Sequence, residues 1–125
     1  MGVPLTEQEL HNLAMNHVGR ELEELDFEFI AVNSNLKSNP QFVCRDENNQ
    51  YYFVIVRAVL LPENPTKYDV VWMESFKKHA QNQNAKVLYA GVGLANAQDK
   101  SLPVYLDEDY LMEYHGIQEV EISLN

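Results

Sequence analysis

Leu10, Leu13, Ala14, Val18, Leu22 and Leu25 recur every three or four residues, which draws one apolar stripe along a helix. Thr6 and Glu9 stand at capping-box spacing before that stripe, and Leu5 and Leu10 sit where a hydrophobic staple would close the first turn. A helix from Glu7 to Glu24 is therefore expected. Phe27 to Val32 reads as a strand, and Asn33 to Pro40 is polar and rich in turn formers. Gln41 to Arg45 reads as a second strand, and Asp46-Glu47-Asn48-Asn49 as a hairpin turn. Tyr51 to Leu61 is almost continuously apolar and rich in β-branched and aromatic residues, the pattern of a central strand covered on both faces.

Pro62 and Pro65 end that strand, and helical spacing returns from Lys67 to Gln83 with Trp72, Phe76 and Ala80 on one face. Lys86 to Leu94 reads as a fourth strand, in which Gly91 and Gly93 signal a bulge or a close backbone approach. Pro103 to Leu106 reads as a short edge strand. Asp107 is placed to cap a short helix through Tyr114, stopped by Gly116, with Ile117 to Ile122 as a last strand. The predicted order is α-β-β-β-α-β: an α/β fold with a mixed sheet flanked by helices, a meander of three strands, and a crossover to a parallel fourth. One domain over 1–125 is expected, with its core at about 6–95 and an appendage at 103–125.

Composition narrows the chemistry. The chain has 125 residues, 46% of them hydrophobic, enough to bury a core without staples. Cys44 is the only cysteine, which rules out an intrachain disulfide and any cage of several thiolates. The longest apolar run, Tyr51 to Val56, falls far short of the length that spans a bilayer. The first residues show no basic stretch followed by an apolar one, so a cytoplasmic location is expected. Net charge is −10, and acids crowd both ends, with Glu7 to Glu28 and Asp107 to Glu121 carrying most of them. Nucleic-acid binding needs a basic footprint and is not expected.

Topology and wording together resemble the restriction-endonuclease-like, PD-(D/E)XK, family. Phe27-Glu28-Phe29-Ile30-Ala31-Val32-Asn33 is similar to the first strand of its small nuclease-like members. Gln41-Phe42-Val43-Cys44-Arg45-Asp46 and Phe53-Val54-Ile55-Val56-Arg57 are similar to the second and third, and the likeness covers about residues 10 to 95. Active members carry an Asp on the second strand and Glu-x-Lys on the third, where carboxylates hold a divalent metal. The resemblance places those positions at Gln41, Ile55 and Arg57, with a first-helix acid near Met15. Neither strand carboxylate is kept, so it implies a degenerate site with no metal, no cofactor and no cleavage by the family mechanism.

A second resemblance is to short chains that share a name with the flavin- and iron–sulfur-bearing component of the sodium-translocating NADH–quinone reductase. It implies an accessory protein of a membrane redox complex. The iron–sulfur cluster of that component needs four cysteines, which this chain lacks.

Arg57 is the one binding candidate, a lone charge in the central apolar strand; it is read as an anion contact, as a structural ion pair, or as an edge residue whose side chain reaches water. His11, His17, His79 and His115 are read as surface or capping residues, and Cys44 as a buried strand residue. Asp107-Glu108-Asp109 is read as a solvated acidic face, and Gly91-Val92-Gly93 as packed strand rather than nucleotide loop. Tyr51, Tyr52, Tyr105, Tyr110 and Tyr114 are read as half-buried sheet residues that leave some aromatic surface for a partner. The expected function is a non-catalytic binding or scaffold domain with a protein partner, a second copy included. The alternative is a metal-dependent nuclease whose acids have moved to Glu21, Glu24 or Asp46.

Overall fold

The computed structural model describes residues 2–121. Helix α1 runs Glu7–Glu24. The Thr6 hydroxyl accepts from the Glu9 N–H at 3.1 Å, and the Glu9 carboxylate accepts from the Thr6 N–H at 2.9 Å, so the predicted capping box is formed. The helix ends in a Schellman turn. Asp26 turns left-handed (φ 63°), its N–H meets Glu23 O, and the Phe27 N–H closes on Leu22 O at 3.1 Å. Its buried stripe is His11, Ala14, Met15, Val18 and Leu22.

Strands β1 (Glu28–Val32), β2 (Phe42–Arg45) and β3 (Tyr51–Leu60) form the expected antiparallel meander, with a bulge in β1 between Phe29 and Ala31. The turn from β2 to β3 is held by the Asp46 carboxylate, which accepts from the N–H groups of Asn48 and Gln50. Helix α2 (Val70–Gln81) then returns the chain to β4 (Ala85–Asn96), which lies parallel to β3 from Tyr51↔Ala85 to Leu60↔Leu94. The sheet is mixed and has a helix on each face. Val54 and Val56 point to α1, Phe53 and Ile55 to α2, so β3 is buried on both sides as its composition predicts.

Helix α2 starts later than predicted because Asp69 caps it, accepting from the Trp72 N–H at 3.0 Å. Met73 and Ala80 are its buried residues, with Phe76 half-buried beside them. Trp72 lies one position before Met73, 41% exposed, stacked on Phe76 with centroids 5.3 Å apart.

The C-terminal segment departs from expectation. Tyr110–Tyr114 is not helical but a strand, β5, antiparallel to β4 from Val92↔Tyr114 to Asn96↔Tyr110. Asp107 is left-handed (φ 61°) and so cannot serve as a helix cap, which needs extended backbone. A helix here would have left one side of β4 with unpaired N–H and C=O groups; β5 satisfies them. The predicted last strand is reduced to β6 (Gln118–Glu119), also paired with β4, and Ile122 lies outside the described residues. Pro103 to Leu106 forms no strand but one bridge, Tyr105 to Pro4, flanked by Leu5 N–H to Val104 O at 2.9 Å.

Gly91 and Gly93 mark a close approach. The backbone of Pro65 crosses directly over Gly91, and the Tyr89 hydroxyl donates to Pro65 O at 2.7 Å. Leu61 lies over Gly93. Among the described residues no helix is long and apolar enough to cross a membrane.

Candidate functional site

Strand β3 is ten residues long and β2 only four, so β2 ends opposite Val54 and the second half of β3 runs on beside loops. Two hollows meet there, one on each side of Arg57. The larger, about 570 Å³, opens on the α2 face. Ile55, Met73 and Tyr89 form its floor, Tyr68 and Trp72 a wall, and Arg57, Glu63, Lys67 and Asp69 the rim.

Of the residues singled out from the sequence, Ile55 and Arg57 line it and Gln41 does not. Gln41 is 1% exposed, and its carboxamide is spent on the backbone. Its Oε1 accepts from the Val56 N–H at 2.8 Å, while Nε2 donates to Ser38 O and, at 3.1 Å, to Asn39 Oδ1. The side chain thus continues the ladder of β2 one step beyond the strand. Ile55 is 5% exposed and packs under α2.

Arg57 is not a buried charge. Because β2 has already ended, its guanidinium reaches solvent, donating to the Glu63 carboxylate and, at 2.7 Å, to Lys67 O. An ion pair this exposed contributes little to stability. Arg57→Met should therefore shift unfolding free energy by less than about 1 kcal/mol. Urea titration checks this, and a loss of several kcal/mol would mean that the pair is far better shielded than its exposure indicates.

The proposed replacement acids do not gather at Arg57. Asp46 sits in the turn before Tyr51, about 20 Å away at the usual rise per strand residue. Hydrogen bonds from the Gln50 and Asn48 N–H groups hold its carboxyl below the ordinary range. Glu21 and Glu24 line a different hollow, with Tyr114 and Gly116, near the C-terminal end of α1. The carboxylates that do border the Arg57 hollow are Glu63, occupied by Arg57, and Asp69, occupied as helix cap. Among the described residues no three His, Cys, Asp or Glu side chains are grouped to hold a metal ion.

Cys44 is buried as expected, and burial pushes its thiol up to about 11, so it is inert at neutral pH. Tyr51, Tyr52, Tyr105 and Tyr114 are half-buried, while Tyr110 is exposed. Burial pushes the Tyr89 hydroxyl up, and the nearby Arg57 charge offsets part of that shift.

Two residues of this region escape the sequence reading. Glu63 is separated from Arg57 by a proline and a reversal of the chain, so no periodic signal joins them. His11 is 4% exposed rather than a surface residue, and its Nε2 has no hydrogen-bond partner. Its spacing to Ala14, Met15, Val18 and Leu22 could have placed it on the buried stripe. Burial lowers its pKa below the ordinary 6.5, which favours the neutral ring. The unfolded chain then takes up the proton first as pH falls. The stabilisation is complete above 6.5 and is lost as pH drops from there through the folded-state value. Unfolding titrations at several pH values should show wild type losing more stability below neutrality than His11→Asn; equal slopes would assign the loss to other groups.

No curated protein and no solved structure matches this chain. The family described as Domain of unknown function (DUF8840) matches residues 8–120, which takes in nearly all of α1 and every other helix and strand described above. The chain belongs to that DUF8840 family.

Proposed function

We propose that this chain is a non-catalytic binding or scaffold domain on a restriction-endonuclease-like frame, with protein as its partner. The element order supports the frame: a three-strand meander, then a helix leading to a strand parallel to the third. The observation that carries the reading is Gln41. On the resemblance it takes the place of the nuclease family's metal-binding Asp, and its amide is wired to Val56, Ser38 and Asn39. Ile55 has no ligand atom, and Arg57 would repel a cation. The acidic ends of the chain also oppose a phosphate backbone. Beside the hollow, Val70, Val71 and Trp72 expose apolar surface along the first turn of α2, the kind of surface that anchors a protein partner.

The test is incubation with plasmid and branched DNA in millimolar magnesium or manganese. No nicking and no rise in melting temperature are expected. Cleavage that survives repurification and disappears in Glu63→Gln, Asp69→Asn or Asp46→Asn would overturn the reading. Self-association is part of the same proposal: sedimentation at micromolar concentration should reveal a dimer, and a clean monomer would remove the second copy as partner.

A further inference from the structure

On the α1 side of Arg57 lies the second hollow, a groove of about 430 Å³ whose floor is the unpaired half of β3. The direction of the backbone groups there follows from the register. Val54 O accepts from the Gln41 N–H and Val56 N–H donates to Gln41 Oε1, so even-numbered residues of β3 address the β2 side. Leu61 N–H donates to Leu94 O, so odd-numbered ones address β4. The N–H and C=O of Ala58 and the N–H of Leu60 therefore face outward where β2 has ended; Leu60 O is taken by the Glu63 N–H.

Leu10, His11 and Leu36 line the groove beside this edge. The loop carrying Leu36 is already held in place, because Gln8 accepts from the Leu36 N–H and donates to Ser34 O at 2.7 Å. His11 adds a buried ring nitrogen with no partner. Glu7 stands at the margin with no ion pair among the described residues, on a chain of net charge −10.

We infer that this groove binds an extended, basic peptide segment of a partner protein, which adds a strand to the open edge of β3 at Ala58–Leu60. Open strand groups are complemented by another extended backbone. Alternate side chains of such a peptide face α1, where Leu10 and Leu36 take apolar groups. A lysine or arginine of the peptide complements Glu7. The preformed walls reduce the ordering that binding requires. This inference rests on the binding-domain reading and assigns it a site and a partner class.

The test pans a random-heptapeptide phage library against the whole chain and follows amide exchange with the selected synthetic peptides. Enrichment of peptides with alternating apolar and basic residues is expected. Free protein should exchange the Ala58 and Leu60 amides quickly and the Val56 amide slowly; bound protein should protect all three. N-methylation of alternate peptide amides, which leaves the protein untouched, should weaken binding about tenfold or more. Ala58→Pro, on an edge where proline is tolerated, should do the same. Failure to enrich, or enriched peptides that leave Ala58 and Leu60 unprotected because they occupy the Trp72 hollow, would overturn the inference. Either result leaves the non-catalytic reading intact, whereas metal-dependent DNA cleavage would remove that reading independently.

Discussion

Gly91→Ala is expected to destabilise the fold by about 4 kcal/mol, near the upper end for a single substitution. A methyl on Gly91 would stand 1.8 Å from Pro65 O and 2.7 Å from Pro65 C. The obstruction is backbone, so no rotamer change relieves it. Either the loop after β3 lifts off the sheet or β4 bends away from β3. Lifting the loop also breaks the Tyr89–Pro65 hydrogen bond and leaves a buried hydroxyl without its acceptor. Gly19→Ala is the matched control. There the added methyl meets the Phe42 ring at 3.5 Å, an ordinary contact, inside α1. Alanine is the better helix former, so Gly19→Ala should be neutral or stabilising by up to about 1 kcal/mol. Urea denaturation of the two variants checks the contrast. A Gly91→Ala cost below about 1 kcal/mol would mean that the Pro65 crossing yields easily.

Gln41→Ala is expected to cost about 3 kcal/mol through a different mechanism. Truncation opens a cavity at a position 1% exposed and removes both ends of the carboxamide. Val56 N–H loses its acceptor and Ser38 O its donor in surroundings that admit little water. Gln41→Glu separates these contributions. It keeps an oxygen for Val56 N–H but sets a carboxylate against Ser38 O and Asn39 Oδ1, where the native amide donates. It should therefore be destabilised at neutral pH and recover part of the loss when acid protonates the new side chain. Thermal and urea unfolding at two pH values measures both effects. Near-wild-type stability of Gln41→Ala would show that the amide is dispensable and free its position for another role.

The elements that could be read in advance are those whose determinants lie within a few residues. Thr6 and Glu9 cap α1 across a single turn, and the apolar stripe beyond them needs no distant partner to declare itself. Asp46 closes the β2–β3 turn on its own neighbours. The unbroken apolar run of β3 implies cover on both faces, and Gly91 implies a close approach before its neighbour is known.

Other features depend on surfaces assembled from distant segments. Tyr110–Tyr114 carries alternation weak enough for either state, and the open side of β4 selects the strand by pairing its backbone groups. The chain alone leaves Arg57 either paired or at an edge that reaches water, and the short length of β2 gives it both water and Glu63. The same early end exposes the Ala58–Leu60 edge and commits Gln41 to Val56. His11 lies on the stripe of α1, but its burial needs Leu36 and β3 brought against it. The start of α1, the central strand and the glycine crossing are thus legible in the chain alone, because caps, periodicity and steric tolerance act over a few residues. Which side chains are buried or paired where β3 outruns β2 is settled only on folding, because hydrogen-bond partners and solvent access there come from segments far apart in the chain.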